Sequence, residues 1–102
     1  MQILNIKDME ASAAQAESLL SLLANRHRLM VVCHLVEGEK TVSQLLTVST
    51  LSQSALSQHL AKLREAELVA TRRDGQQIYY NLASAEARKL IETLCELYQP
   101  KS

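Results

Sequence analysis

Tryptophan and phenylalanine are missing from this chain of 102 residues, and three tyrosines are its whole aromatic content. A core without large rings must be filled by Leu, Val, Ile and Ala, a composition that favours helices. Two glycines and one proline leave little material for irregular loops, which points the same way. An excess of charge of one sign is missing too. Eleven basic and eleven acidic residues cancel, so no whole-molecule field announces a polyanionic partner, and any attraction for one must be local. No apolar run approaches the roughly 18 residues a membrane span needs. The N-terminus has neither the basic start nor the apolar middle of a signal peptide, so the expectation is a cytoplasmic protein without a membrane partner. A permanent disulfide between Cys33 and Cys95 is not expected in that compartment; core filling, metal binding and redox sensing stay open. There is no Gly-rich phosphate loop, no metal cluster and no Cys/His pairing on a nucleophile turn. Neither an enzyme nor a cofactor protein is therefore expected.

What the chain does hold is one stretch, Leu51-Ser-Gln-Ser-Ala-Leu-Ser-Gln-His-Leu-Ala-Lys-Leu-Arg64, around which the rest is arranged. With Leu56 as reference, Leu60 falls at about 40° and Leu63 at about 340° on a helical wheel, so the three leucines share one face. Opposite them lie Ser54, Gln58, Ala61 and Glu65, flanked by Ser57 and Lys62. Short side chains let a helix backbone approach DNA base edges, and amides can pair with an adenine edge. On its own such a face also suits an ordinary solvated helix. Its neighbours sharpen the reading. Thr41-Val-Ser-Gln-Leu-Leu46 reads as a helix of about two turns, and the hydroxyl-rich Thr47–Ser52 supplies a turn. Thr50 with Gln53 matches a capping box, with Ser52 as rival cap. Short helix, tight turn and second amphipathic helix make a helix-turn-helix over about 41–66.

The flanks fit one small domain spanning 1–102, near the size where dimerisation adds needed burial. From Asp8 to Leu23, the residues Met9, Ala13, Ala16, Leu20 and Leu23 form an apolar stripe rich in alanine, suited either to a subunit interface or to packing within the monomer. After a polar break at Asn25–Arg28, Leu29–Val36 reads as a central buried helix, closed near Gly38. Beyond the helix-turn-helix, Leu68–Leu82 alternates with period two about Asp74-Gly75, a favoured hairpin turn. Pairing outward from that turn sets Thr71 against Ile78 and Val69 against Tyr80. This wing, over about 69–82, carries Arg72, Arg73 and Gln76 near its tip, where Arg can reach phosphates or a minor groove. Ser84–Tyr98 is a last amphipathic helix with Ser84 as its cap. The fold class is mainly α with a small β-hairpin.

Leu51–Leu60 with Lys62-Leu-Arg64, followed by Leu68-Val69 and Thr71–Tyr80, closely resembles the ArsR/SmtB family of winged helix-turn-helix regulators, in particular its branch without metal sites. That resemblance implies five helices and a homodimer formed by the first and last helices, about 8–23 and 84–98. It implies two reading helices in successive major grooves of a palindromic operator in double-stranded DNA, with half-sites about 34 Å apart. Carried over residue by residue, Gln53, Ser54, Ser57, Gln58 and Lys62 become reading-helix contacts, and Arg72, Arg73 and Gln76 wing contacts. Thr41 and Ser43 add phosphate bonds. His59 is nearer the core edge, a packing or phosphate residue before a base reader.

Metal-sensing members of the family carry Cys-x-Cys clusters in the bracing helix or Asp/His pairs on the last helix. Here residues 41–46 contain no Cys, His, Asp or Glu and residues 84–98 no His, and His27, His34 and His59 sit at spacings that do not converge on a metal. The resemblance implies another signal: Cys33 matches the buried-helix cysteine of a redox- and sulfide-responsive branch. The partner position there falls at Gln99, with Cys95 one turn earlier. Cys33 and Cys95 stand as a thiol sensor or as two inert thiols. The leading expectation is a repressor switched by oxidation or polysulfide bridging. Two alternatives stand beside it: the same fold without thiol sensing, displacing another DNA-bound protein, and a helical protein-interaction domain.

Overall fold

The computed structural model describes residues 5–99. Among them, helices α1 (Ile6–Leu23) and α2 (Arg26–Val36) lead to a two-residue strand β1 (Lys40–Thr41). Then follow α3 (Val42–Thr47), α4 (Gln53–Glu65), the hairpin strands β2 (Val69–Asp74) and β3 (Gln77–Leu82), and α5 (Ala85–Tyr98). No single helix among these residues is long and apolar enough to cross a membrane; α1 and α2 are bent by 96° at their junction.

Caps explain most of the boundaries. Asn25 Oδ1 accepts from the main-chain N–H of His27 (3.0 Å) and Arg28 (3.1 Å), satisfying donors that a helix start leaves free. The polar stretch expected to be a break is therefore the first turn of α2. Thr41 Oγ1 accepts from Gln44 N at 3.1 Å while Gln44 Oε1 accepts from Thr41 N at 2.8 Å, a reciprocal capping box. At α4 the cap is Ser52, whose Oγ accepts from Ala55 N at 3.1 Å, not Thr50. Helix α4 ends in a Schellman motif: Leu68 N–H donates to Leu63 O at 2.9 Å and Glu67 N–H to Arg64 O at 3.0 Å. The residue carried into the left-handed region there is Glu67, at φ 64°.

Core and sheet follow from the aliphatic composition. Leu23, Val31, Val32, Leu35, Leu45, Leu56, Leu60, Leu63, Leu68, Val69, Ala87 and Ile91 form the buried cluster. The antiparallel sheet has the order β1-β3-β2, so the wing gains a third strand that a two-residue segment gives sequence periodicity no chance to reveal. In the hairpin, Asp74 pairs with Gln77, Arg73 with Ile78, Thr71 with Tyr80 and Val69 with Leu82. The register is thus displaced by two residues from the expected one, because the turn is centred on Gly75-Gln76. Of these two residues only Gly75 takes a positive φ, 64°, which fits a turn with glycine in its first central position. A displacement of two leaves every side chain on its face, and so the hydrophobic alternation holds in either register.

Candidate nucleic-acid interface

Helix α4 is fixed from behind and free in front. Leu56, Leu60 and Leu63 are 0%, 1% and 0% exposed, each worth about 1.5–3 kcal/mol of burial. Packing against α2, α3 and β2 holds the helix in place. Gln53, Ser54, Ser57, Gln58, Ala61 and Lys62 are all exposed on its outer side. Ser43, at the start of α3, is exposed as well. Thr41 is only 8% exposed, and its hydroxyl is committed to capping α3.

The wing separates two arginines that the sequence treats alike. Arg73 and Gln76 are exposed at the hairpin's outer end. Arg72 instead is drawn back toward the loop before β1. Its Nε donates to both carboxylate oxygens of Glu39 at 3.0 and 2.9 Å, and Nη2 donates to the same carboxylate. Asp74 stands 4.0 Å away, and the guanidinium carbon lies 4.4 Å from the centre of the Tyr79 ring, a cation–π distance. The hydrogen bond from Arg72 holds the Glu39 carboxyl below its ordinary range, and the carboxylate in turn raises Arg72. Sequence spacing could not find this tie, because residues 39 and 72 meet only through the pairing of β1 with β3.

The three histidines are expected on three different elements, but His27 and His34 share α2. The rings of His27 and His59 approach to 5.9 Å between centroids; His59, half-buried on the inner edge of α4, also meets Arg28. Among the described residues no three His, Cys, Asp or Glu side chains are grouped to hold a metal ion.

Cys33, half-buried, and the exposed Cys95 are free thiols. Both line one groove of about 600 Å³ between α2 and α5, with Met30, Val36, Ile91 and Glu92. Burial pushes the Cys33 thiol up first, and the neighbouring Cys95 adds to it.

A bracing helix, a turn, a projecting helix with a small polar face and an adjoining hairpin make a winged helix-turn-helix, the architecture of a class of DNA-binding proteins. Residues 25–71 match the bacterial regulatory protein, arsR family, domain. The transcriptional activator HlyU of Vibrio cholerae is 45% identical over 93% of this chain and 88% of its own length. Among solved structures, the transcriptional repressor BigR from Xylella fastidiosa superimposes with a TM-score of 0.90 at 40% identity, covering 96% of this chain and all of that one. Reduced HlyU from Vibrio cholerae gives 0.86 at 45% identity, over 92% of this chain and 99% of the other. The chain belongs to the ArsR family. It is a DNA-binding transcriptional regulator.

Proposed function

We propose that this regulator is a cytoplasmic homodimeric repressor that reads a palindromic operator with α4 and is released from it by thiol chemistry. The observation that carries the reading is the exposed Gln53, Ser54, Ser57, Gln58 and Lys62 face set on three fully buried leucines. Gln53 and Gln58 supply amides for base edges, the serines allow close approach, and Lys62 meets a phosphate. Arg73 and Gln76 extend the contact from the wing. Ser43 adds a phosphate bond at the start of α3, where Thr41 acts through the cap. Arg72 joins only by exchanging Glu39 for a phosphate.

Dimerisation is supported by apolar side chains that the monomer leaves uncovered. Ile6 and Leu20 on α1 are 63% and 55% exposed, Leu97 and Tyr98 on α5 68% and 80%. Such surface on two helices calls for a partner, and a two-fold pair matches a palindrome with half-sites about 34 Å apart. Release is supported by the groove that Cys33 and Cys95 share. A bridge there ties α2, in the core, to α5, in the subunit contact, and biases the dimer away from the spacing DNA needs.

Selection from random duplexes at two salt concentrations tests all of this, using reduced protein and protein treated with organic polysulfide. Expected is a palindrome enriched by the reduced form, lost on treatment and restored by dithiol. An unchanged palindrome rejects the thiol switch, and no enrichment rejects the proposed operator reading.

A further inference from the structure

One guanidinium joins the first helix to the reading helix. Helix α1 has no basic residue in its last turn, where carbonyls lack helical partners and the dipole favours a cation. Arg28, from α2, supplies it: Nε donates to Leu22 O at 2.7 Å and Nη2 reaches Ser21 O at 3.5 Å. The third arm, Nη1, lies 3.5 Å from Nδ1 of His59 on α4. Arginine has donors only and stays charged, so this contact requires Nδ1 to present its lone pair and the ring proton to sit on Nε2.

We propose that Arg28 and His59 form a proton-sensitive joint that positions the reading helix against α1, so that protonation of His59 weakens DNA binding. A proton added at Nδ1 turns the acceptor into a donor facing a cation, and the contact becomes repulsive. The groups acting on His59 are Arg28 and His27 from α2 and Lys62 on α4 itself. From α1 the joint receives only the carbonyls of Ser21 and Leu22, through Arg28. With no carboxylate among them, no group among the described residues offsets the added charge. Burial first, then Arg28, His27 and Lys62, holds the His59 pKa below its ordinary value, so the ring is neutral and the joint closed at neutral pH. The link to DNA rests on the proposed roles of α1 in the subunit contact and α4 at the bases.

The joint itself is testable without DNA. Ring resonances of His59 and main-chain amide resonances of Ser21 to Ala24 are followed by NMR between pH 7.5 and 5.5 in the full chain. They are expected to titrate with one shared midpoint, which rises in Arg28→Lys as the guanidinium contact is lost. Independent midpoints, or no change in that variant, overturn the joint whatever the DNA measurements give.

DNA binding is then measured over the same range at fixed salt for the wild type and His59→Asn, whose amide oxygen replaces the Nδ1 acceptor and does not titrate. Affinity of the wild type is expected to fall about three- to tenfold on acidification, the scale of one hydrogen bond to a charged group, with the variant spared that fall. Wild-type binding that strengthens relative to the variant overturns the proposal, because His59 is then a phosphate contact. A salt slope that drops by about 0.9 per protomer in the charge-removing Arg28→Gln overturns it likewise for Arg28; an unchanged slope with weaker binding supports positioning.

Discussion

Helix α4 and helix α1 are both amphipathic, yet the monomer finishes one and leaves the other half-made. Thirteen-residue α4 has three fully buried leucines, whereas eighteen-residue α1 buries Leu23 alone and exposes Met9 and Leu20 from its apolar stripe. The same periodicity therefore serves two purposes. In the proposed reading, α4 is fixed so that its other face can be offered to DNA, and α1 supplies surface that a second copy can cover.

Breaking the anchor should have the largest effect. Leu60→Ala removes a fully buried side chain, and about 2–5 kcal/mol of stability should be lost in denaturant unfolding, with DNA binding falling in proportion to the folded fraction. Leu20→Lys tests the other helix. Since Leu20 is exposed, monomer stability should move by less than about 0.5 kcal/mol, while sedimentation should show the dimer weakened at least about tenfold. An equal loss of monomer stability would mean that α1 is completed by its own chain.

Wing arginines sharpen the contrast at the DNA surface. For a dimer, Arg73→Ala should lower the slope of log affinity against log salt by about 1.8, two phosphate contacts at about 0.9 each. Arg72→Ala should lower it less, because Arg72 is already neutralised by Glu39; equal slopes would show that Glu39 yields to phosphate. The smallest effect is expected at Glu67→Gly. A glycine at φ 64° relieves the left-handed penalty, and stability should rise by about 0.5–1 kcal/mol with no change in DNA affinity.

These cases also mark what a sequence can disclose. The spacing of Leu56, Leu60 and Leu63 carried helix α4 and its exposed outer face, because both follow from one period. The hairpin register was not legible in that way: alternation of period two is blind to a displacement by two, and only the turn residues could choose between Asp74-Gly75 and Gly75-Gln76. Strand β1 is too short to show any period. Glu67 carries no sign of its positive φ, since the Schellman bonds are made by main-chain atoms, Leu68 N–H to Leu63 O and Glu67 N–H to Arg64 O, which any side chain leaves in place. The contacts Arg72–Glu39 and Arg28–His59 join residues far apart in the chain and become visible only when the helices and strands are in place.

Thr41 closes β1 by pairing with Tyr79 and, in the same residue, opens α3 as its cap. The wing and the bracing helix consequently meet without a linker, and slack at that seam would have to come from breaking either the strand pair or the cap. A wing redesigned to reach a different groove width is therefore best lengthened at Gly75-Gln76, two residues at a time, where the alternation of faces is preserved and the seam stays untouched.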